Sequence, residues 1–206
     1  MIRSRTGFTL LEVVLALGIF AILSVVVIDV YFSSGREERR GVARSQGAGS
    51  ARFALEVMAR EARLGVPDYA YYVEQRIPLV DGSGNPRALS MLAVVLPDNT
   101  TRVYRCVTRG TTSALAGDVA CPASNGELQR SLTGAAGTWE SLTIEEAEVT
   151  SFQVFVTPSS DPFPADSTVN QQPKTTVSLV TVGIGNVEDE VRTHFQTTVS
   201  SRNYVR

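Results

Sequence analysis

Residues that carry chemistry are scarce in this chain. Its 206 residues include one histidine, two cysteines, one lysine and one tryptophan. The lone histidine, His194, has Arg192 and Gln196 beside it and no nearby nucleophile or carboxylate, so nothing points to a hydrolytic triad. No CxxC pair, HExxH motif or glycine-rich phosphate loop occurs. The arginines are spread along the chain, unlike the basic face of a nucleic-acid reader. Their excess over Lys174, eighteen to one, reads as a bias of base composition and not of function. Proline is also missing from the whole of Phe8–Val66, so nothing there forbids one long helix. These absences lead us to expect a chain that is not an enzyme, has no cofactor or metal, and has no nucleic-acid partner.

What is present is concentrated in Met1–Phe32: MIRSRTG, then FTLLEVVLALGIFAILSVVVIDVYF. A secretory signal has a longer lead into its apolar region and small-residue cleavage after it. Here the basic leader stops at Gly7, before the apolar run begins. A cut after Gly7 would leave the run on the mature chain. From Val13 to Ile28 there is no charge. With its flanks the run reaches the roughly 20 residues a membrane-crossing helix needs. Glu12 breaks it near the start, at a cost of about 2.5–3.5 kcal/mol in a bilayer. Such an acid is normally paired. Cleavage after Gly7 would supply an α-amino group at Phe8, four residues away and on the same helix face. The pair can close within one chain or between two staggered neighbours.

Gly7, Phe8, Thr9, Leu10, Leu11 and Glu12, followed by this helix, resemble the N-terminus of type IV prepilins and type II secretion pseudopilins. The resemblance implies cleavage after Gly7 by a membrane prepilin peptidase, methylation of Phe8, and a docking role for Glu12 in filament assembly. It also implies the fold class: α+β, a long N-terminal helix packed on an antiparallel sheet. The implied partners are the peptidase, other minor pilins or pseudopilins, the major subunit, the inner-membrane assembly platform and the lipid bilayer. Many major pilins of this family carry a proline in the middle of the helix. Its absence here favours the minor pilins and the pseudopilins.

Arg3 and Arg5 precede the run, and the positive-inside rule keeps them cytoplasmic. The expected location is the bacterial inner membrane, single-pass, with the C-terminal part exported and later built into a pilus or pseudopilus. Loss of the leader leaves seventeen basic and twenty-one acidic residues, a net charge of −4. Cys106 and Cys121 both fall in the exported, oxidising part, which predicts a disulfide between them. Closing that loop is worth about 3 kcal/mol in the chain-entropy model.

The expected organisation is a leader (1–7), a transmembrane helix (8–32), an amphipathic continuation (33–66) and a β-rich pilin domain (67–206). In the continuation, Ala51, Leu55, Met58 and Ala62 recur at helical spacing, and Phe53, Val57 and Leu64 widen that stripe. Gly41, Gly47 and Gly49 make Gly41–Ser50 the expected place to bend or melt. Gly65 and Pro67 end the helix. Beyond it, Ala88–Leu96 and Arg102–Thr108 flank a turn at Pro97–Thr100 and predict a hairpin. Arg109–Gly137 reads as a long loop, Val149–Thr157 as a strand, and Val177–Ile184 with Val191–Ser200 as a terminal hairpin. Asp81–Asn85 spaces oxygen ligands as calcium loops do, without the downstream glutamate. Asp161–Asp166 is a weaker case of the same kind. Glu145, Glu146 and Glu148 form an acidic cluster, read as a solvated edge or a surface for a neighbour's arginines.

Three further segments refine the resemblance. Met58–Gly65 (MAREARLG), the strand opening VTSFQVF and the ending TTVSSRN are similar to J-class minor pseudopilins and W-type minor pilins. The expected function is therefore a structural subunit of the tip or priming complex of a type IV pilus or type II secretion pseudopilus. The alternatives are a DNA-uptake pilus component, or a signal-anchored periplasmic binding domain that does not polymerise. Processing separates the last from the rest. Mass spectrometry of the envelope form is expected to find methylated Phe8 as the first residue. Recovery of Met1 on assembled protein would refute the cut at Gly7.

Overall fold

One helix runs through the first third of the chain: α1, Leu10–Leu64. The computed structural model describes residues 9–112, 117–134, 137–145, 147–163, 171–183 and 191–202. Gly7 and Phe8 lie outside them. At about 1.5 Å per residue, α1 is roughly 80 Å long. Its first part, Leu10–Gly35, has a mean hydropathy of 2.9 and none of it is buried. It is long and apolar enough to cross a membrane. The hydroxyls of Ser24 and Ser33 donate back to the Phe20 and Val30 carbonyls at 2.8 and 2.9 Å. That satisfies both groups locally, as an apolar medium requires.

The expected weak point at Gly41–Ser50 is not there. The helix is unbroken through this stretch. Gly47 is buried, and a Cβ built on it would sit 3.1 Å from the Gly183 backbone nitrogen. The Thr181 hydroxyl donates to the Gly47 carbonyl at 3.1 Å. Glycine here permits close approach to a strand, and the contact overrides local propensity. Beyond it, Ala51, Ala54, Leu55, Val57, Met58 and Ala62 are buried. Phe53 and Leu64, expected to widen this stripe, are instead 56% and 52% exposed. The buried row steps by three and four residues from Ala51, and positions 53 and 64 fall off its flank.

α1 ends one residue before Gly65, and Val66 already belongs to a strand, so the amphipathic helix stops short of the expected 66. β1 (Val66–Pro67) pairs with β2 (Met91–Val95). A Cβ on Gly65 would lie 2.4 Å from the Val95 carbonyl oxygen and 2.6 Å from Val94 Cγ1. β2 pairs with β3 (Thr101–Thr108), β3 with β4 (Gly126–Ser131), and β4 with β5 (Trp139–Ser141), all antiparallel. A second sheet has the order β6 (Ala147–Thr157), β7 (Lys174–Gly183), β8 (Val191–Ser200), again antiparallel. α1 packs mainly on β7 and β8. Among the described residues, one isolated bridge links β6 to the segment just before β2, where Leu89 and Val154 exchange backbone hydrogen bonds of 2.8 Å each way. Tyr72, Tyr104, Phe152, Met58, Leu128 and Leu179 fill one core between helix and sheets.

This is the α+β, pilin-like arrangement expected. Both hairpins form as read, although the turn between β7 and β8 lies outside the described residues. In the first, Asp98 accepts from the Thr100 amide and hydroxyl, and Asn99 takes φ 63°. Two elements differ from expectation. The stretch read as a loop from Arg109 to Gly137 contains β4, whose Glu127, Gln129 and Ser131 are buried. One face of β4 puts only Leu128 into the apolar core, between Gly126 and Arg130, and the other is buried against polar partners, so the strand shows no apolar alternation. The chain after Pro67 also first forms a short helix, α2 (Tyr69–Glu74), capped by Asp68, which accepts from the Tyr71 amide at 2.9 Å.

The Gly65 contact yields a paired test. Gly65→Ala drives a methyl into β2 and is expected to cost about 1–3 kcal/mol by overpacking. Gly49→Ala meets nothing within 4 Å and replaces a helical glycine, so it is expected to be neutral or stabilising by up to about 1 kcal/mol. Urea unfolding of the detergent-solubilised chain checks both.

Candidate functional site

At the start of α1, Thr9 is the N-cap, in extended conformation, and its hydroxyl oxygen accepts from the Glu12 amide at 3.3 Å. Thr9-x-x-Glu12 has the residue pattern of a capping box. The sequence reading took Glu12 only as an assembly carboxylate and missed this second role, although the T-x-x-E spacing was visible. An acid in the first turn also faces the positive end of the helix dipole. Glu12 is exposed, and so are its apolar neighbours Leu10, Leu11, Val13 and Val14. The cover for this end of the helix has to come from lipid or other chains.

At the other end the helix is clamped. Glu61 is only 7% exposed. It accepts from the Tyr104 hydroxyl, and its second oxygen meets the Arg130 guanidinium at 3.2 Å. Arg130 continues to Glu140 at 3.1 Å. The chain's last strand closes on the same turn. The Ser201 hydroxyl donates to the Gly65 carbonyl, and the Arg202 amide to the Arg63 carbonyl at 2.8 Å. None of this was read from the sequence. The signal was Glu61 itself, in phase with Met58 and Ala62 on the buried stripe, where a carboxylate needs partners.

Cys106 of β3 and Cys121 are joined as a disulfide, with Cα atoms 5.0 Å apart. The bond ties the segment after β3 back to the core beside Val149. The remaining candidates stay apart. Asp81 accepts from the Ser83 and Asn85 amides at 2.8 and 2.9 Å. Those backbone hydrogen bonds, Asn85 foremost, hold its carboxyl below the usual range. Both bonds fall on one oxygen, Oδ1, and close the turn locally. Asp161 likewise accepts from the Phe163 amide, while Asp166 lies outside the described residues. Glu148 accepts from the Asn125 amide at 2.6 Å, Glu145 is exposed, and Glu146 is outside the described residues. His194 is exposed on β8. Among the described residues no three His, Cys, Asp or Glu side chains are grouped to hold a metal.

With this geometry the comparison with known families is specific. Residues 2–28 match the family described as the prokaryotic N-terminal methylation motif. The match spans the leader, Gly7, Phe8, Glu12 and most of the apolar run. It gives this chain a type IV pilin- or pseudopilin-like N-terminus, of the kind that is processed by a peptidase and assembled with other pilins. No curated protein and no solved structure matches the chain.

The clamp and core also set an alkaline limit. Burial raises the phenols of Tyr69, Tyr72 and Tyr104 well above the ordinary value of 10.0, and Glu61 pushes Tyr104 the same way. The folded chain keeps these protons where the unfolded chain releases them. The stability linked to them is fully present below about pH 10 and is lost as pH rises further. The urea midpoint is expected to fall steadily above about pH 10, and less steeply in Tyr104→Phe.

Proposed function

We propose that this protein is a minor pilin or pseudopilin, a non-enzymatic structural subunit of the tip or priming complex of a type IV pilus or type II secretion pseudopilus. The observation that carries the reading is the methylation motif at the head of a helix whose apolar first half has no cover among the described residues. A helix of this kind is stable in a bilayer or against like helices, and the motif belongs to subunits that use both. The domains are then a leader (1–7), a membrane segment (8–32), a helical stalk that the fold ends at Leu64, and an exported β-rich head. The head rides on the stalk through the Glu61 clamp, so a force on one is delivered to the other.

The J-class or W-type assignment rests on Met58–Gly65, Val149–Phe155 and Thr197–Asn203. Two of these meet at the closure of the helix end by the chain after β8, and the third lies in β6. Partners follow from the class: the prepilin peptidase, other minor subunits, the major subunit and the assembly platform of the inner membrane. Membership of a DNA-uptake pilus is the second reading within the class, separated by which minor subunits co-purify. A signal-anchored periplasmic domain is excluded once Phe8 is found as the mature N-terminus.

Glu12 supplies the test. Glu12→Ala removes a carboxylate that is costly in hydrocarbon unless paired. The variant is expected to insert in the membrane at least as well as wild type and to lose co-purification with the other minor subunits. The head is expected to melt as in wild type, because Glu12 is remote from the core. Wild-type recruitment of the variant would refute the assembly role.

A further inference from the structure

We propose that the bare stretch of α1 between the apolar run and the head is a docking surface for anionic phospholipid headgroups. Arg36, Arg39, Arg40 and Arg44 supply its positive charge. The inference rests on the membrane reading of Leu10–Gly35 and not on filament assembly.

The arginines run along the whole chain, with one local concentration. Four of the eighteen fall within Arg36–Arg44, against two acids, Glu37 and Glu38. Positions 36, 40 and 44 succeed one another at four-residue intervals, with 39 beside them, so they share one side of the helix. Position 37 borders that side, so Glu37 offsets part of its charge, and position 38 lies on the opposite side. Among the described side chains of this stretch, none is covered by the head. Glu37, Glu38, Gly41, Val42, Arg44 and Ser45 are exposed, and burial begins at Gly47. The helix is continuous from the span into the arginines, which fixes their height above the bilayer. The 26 residues of the apolar run cover roughly 39 Å, more than the ~30 Å hydrocarbon core. The end of the run therefore already occupies the headgroup layer, about 5–7 Å thick on each side, and the arginines follow at its outer edge, where tilt of the helix brings them to the phosphates.

Charge bias sharpens the point. Two arginines, Arg3 and Arg5, mark the cytoplasmic side, and four follow the span on the side to be exported. Positive charge so close to a span resists export. An anionic headgroup layer on that side offsets the charge. Guanidinium groups suit it, since each grips a phosphate with two parallel N–H donors. The acidic head of a neighbouring subunit is the competing partner. The lipid is favoured because the arginines follow directly on the span, at the outer edge of the headgroups.

The test uses the full-length chain reconstituted in nanodiscs of equal phosphatidylglycerol and phosphatidylcholine, released for native mass spectrometry. Wild type is expected to retain phosphatidylglycerol over phosphatidylcholine by about tenfold. The variant Arg36→Gln/Arg39→Gln/Arg40→Gln/Arg44→Gln is expected to retain the two equally. A control, Arg52→Gln/Arg60→Gln/Arg63→Gln, removes exposed arginines higher on the helix and is expected to keep the preference. Equal retention by wild type, or a preference that survives in the first variant, overturns the proposal. Loss of preference in the control as well reduces it to a net-charge effect and also overturns it. Displacement of lipid by excess inorganic phosphate overturns the lipid assignment. Self-association lost in the first variant, with no lipid preference in wild type, assigns the arginines to a neighbouring chain instead. Retention of no lipid at all defeats the membrane reading beneath the proposal, and leaves cleavage at Gly7 to be judged separately.

Discussion

The structure depends on one helix having to serve two surroundings. The first half of α1 presents apolar side chains in every direction, and the second half must present them along one narrow stripe. The change comes at Gly47, where the helix first touches the end of β7. From there the stripe is built largely of small residues, Ala51, Ala54 and Ala62, with Leu55 and Met58 between them. Small side chains let helix and sheet approach closely but bury little apolar area each. The polar clamp at Glu61 compensates by direction. It binds the helix to β3 through Tyr104 and to β4 through Arg130, and so fixes both its rotation and its axial position. Removing only Glu61 would strand a buried hydroxyl and leave Arg130 with a half-exposed partner. That is why such a group is costly to delete even when its net contribution is small.

The head is organised around that attachment. The three-stranded sheet carries the helix on one face, and the five-stranded sheet grips its C-terminal turn. The two sheets share little hydrogen bonding apart from the Leu89–Val154 bridge, so the core between them and the helix does the joining. The Cys106–Cys121 disulfide adds a covalent tie on β3, the same strand that supplies Tyr104. The covalent tie and the attachment of the helix thus converge on one strand. The helix passes from its exposed apolar run to this seat without a break. A displacement of the membrane segment is therefore a displacement of the head.

Much of this was legible in the sequence, and for identifiable reasons. Phe8–Glu12 and the charge-free run to Ile28 form a dense local code, so the helix, its membrane character and the processing motif can be read by eye. The hairpin at Pro97–Thr100 and the strands β6, β7 and β8 follow from alternation and turn residues. What could not be read depends on contacts between distant segments. β4 hides its nature because Glu127 and Gln129 are buried against each other and against Gly110 and Arg105. Gly47 looks like a hinge until Gly183 is seen beside it. Phe53 and Leu64 look like core until the helix is given its actual rotation. Glu61 is one more charge in MAREARLG until Tyr104 and Arg130 arrive from 43 and 69 residues away.

At the tip of α1 the same residue meets two demands. Glu12 stands in the first turn, under the Thr9 cap, where the helix dipole already favours a carboxylate. A cut after Gly7 would make Phe8 the first residue, immediately before that cap, and give it a positive amine. A positive charge there opposes the dipole, and in hydrocarbon it is also expensive alone. In the uncut chain the Phe8 nitrogen is an amide and carries no charge. Processing would therefore create the cation for which the carboxylate is the natural counter-ion, and it would do so at the one end of the helix that the head cannot reach. Whether the pair closes within one chain or across two then becomes a matter of axial stagger. Only the second arrangement also brings an uncovered apolar helix against another like it, which is the cover that this half of α1 lacks.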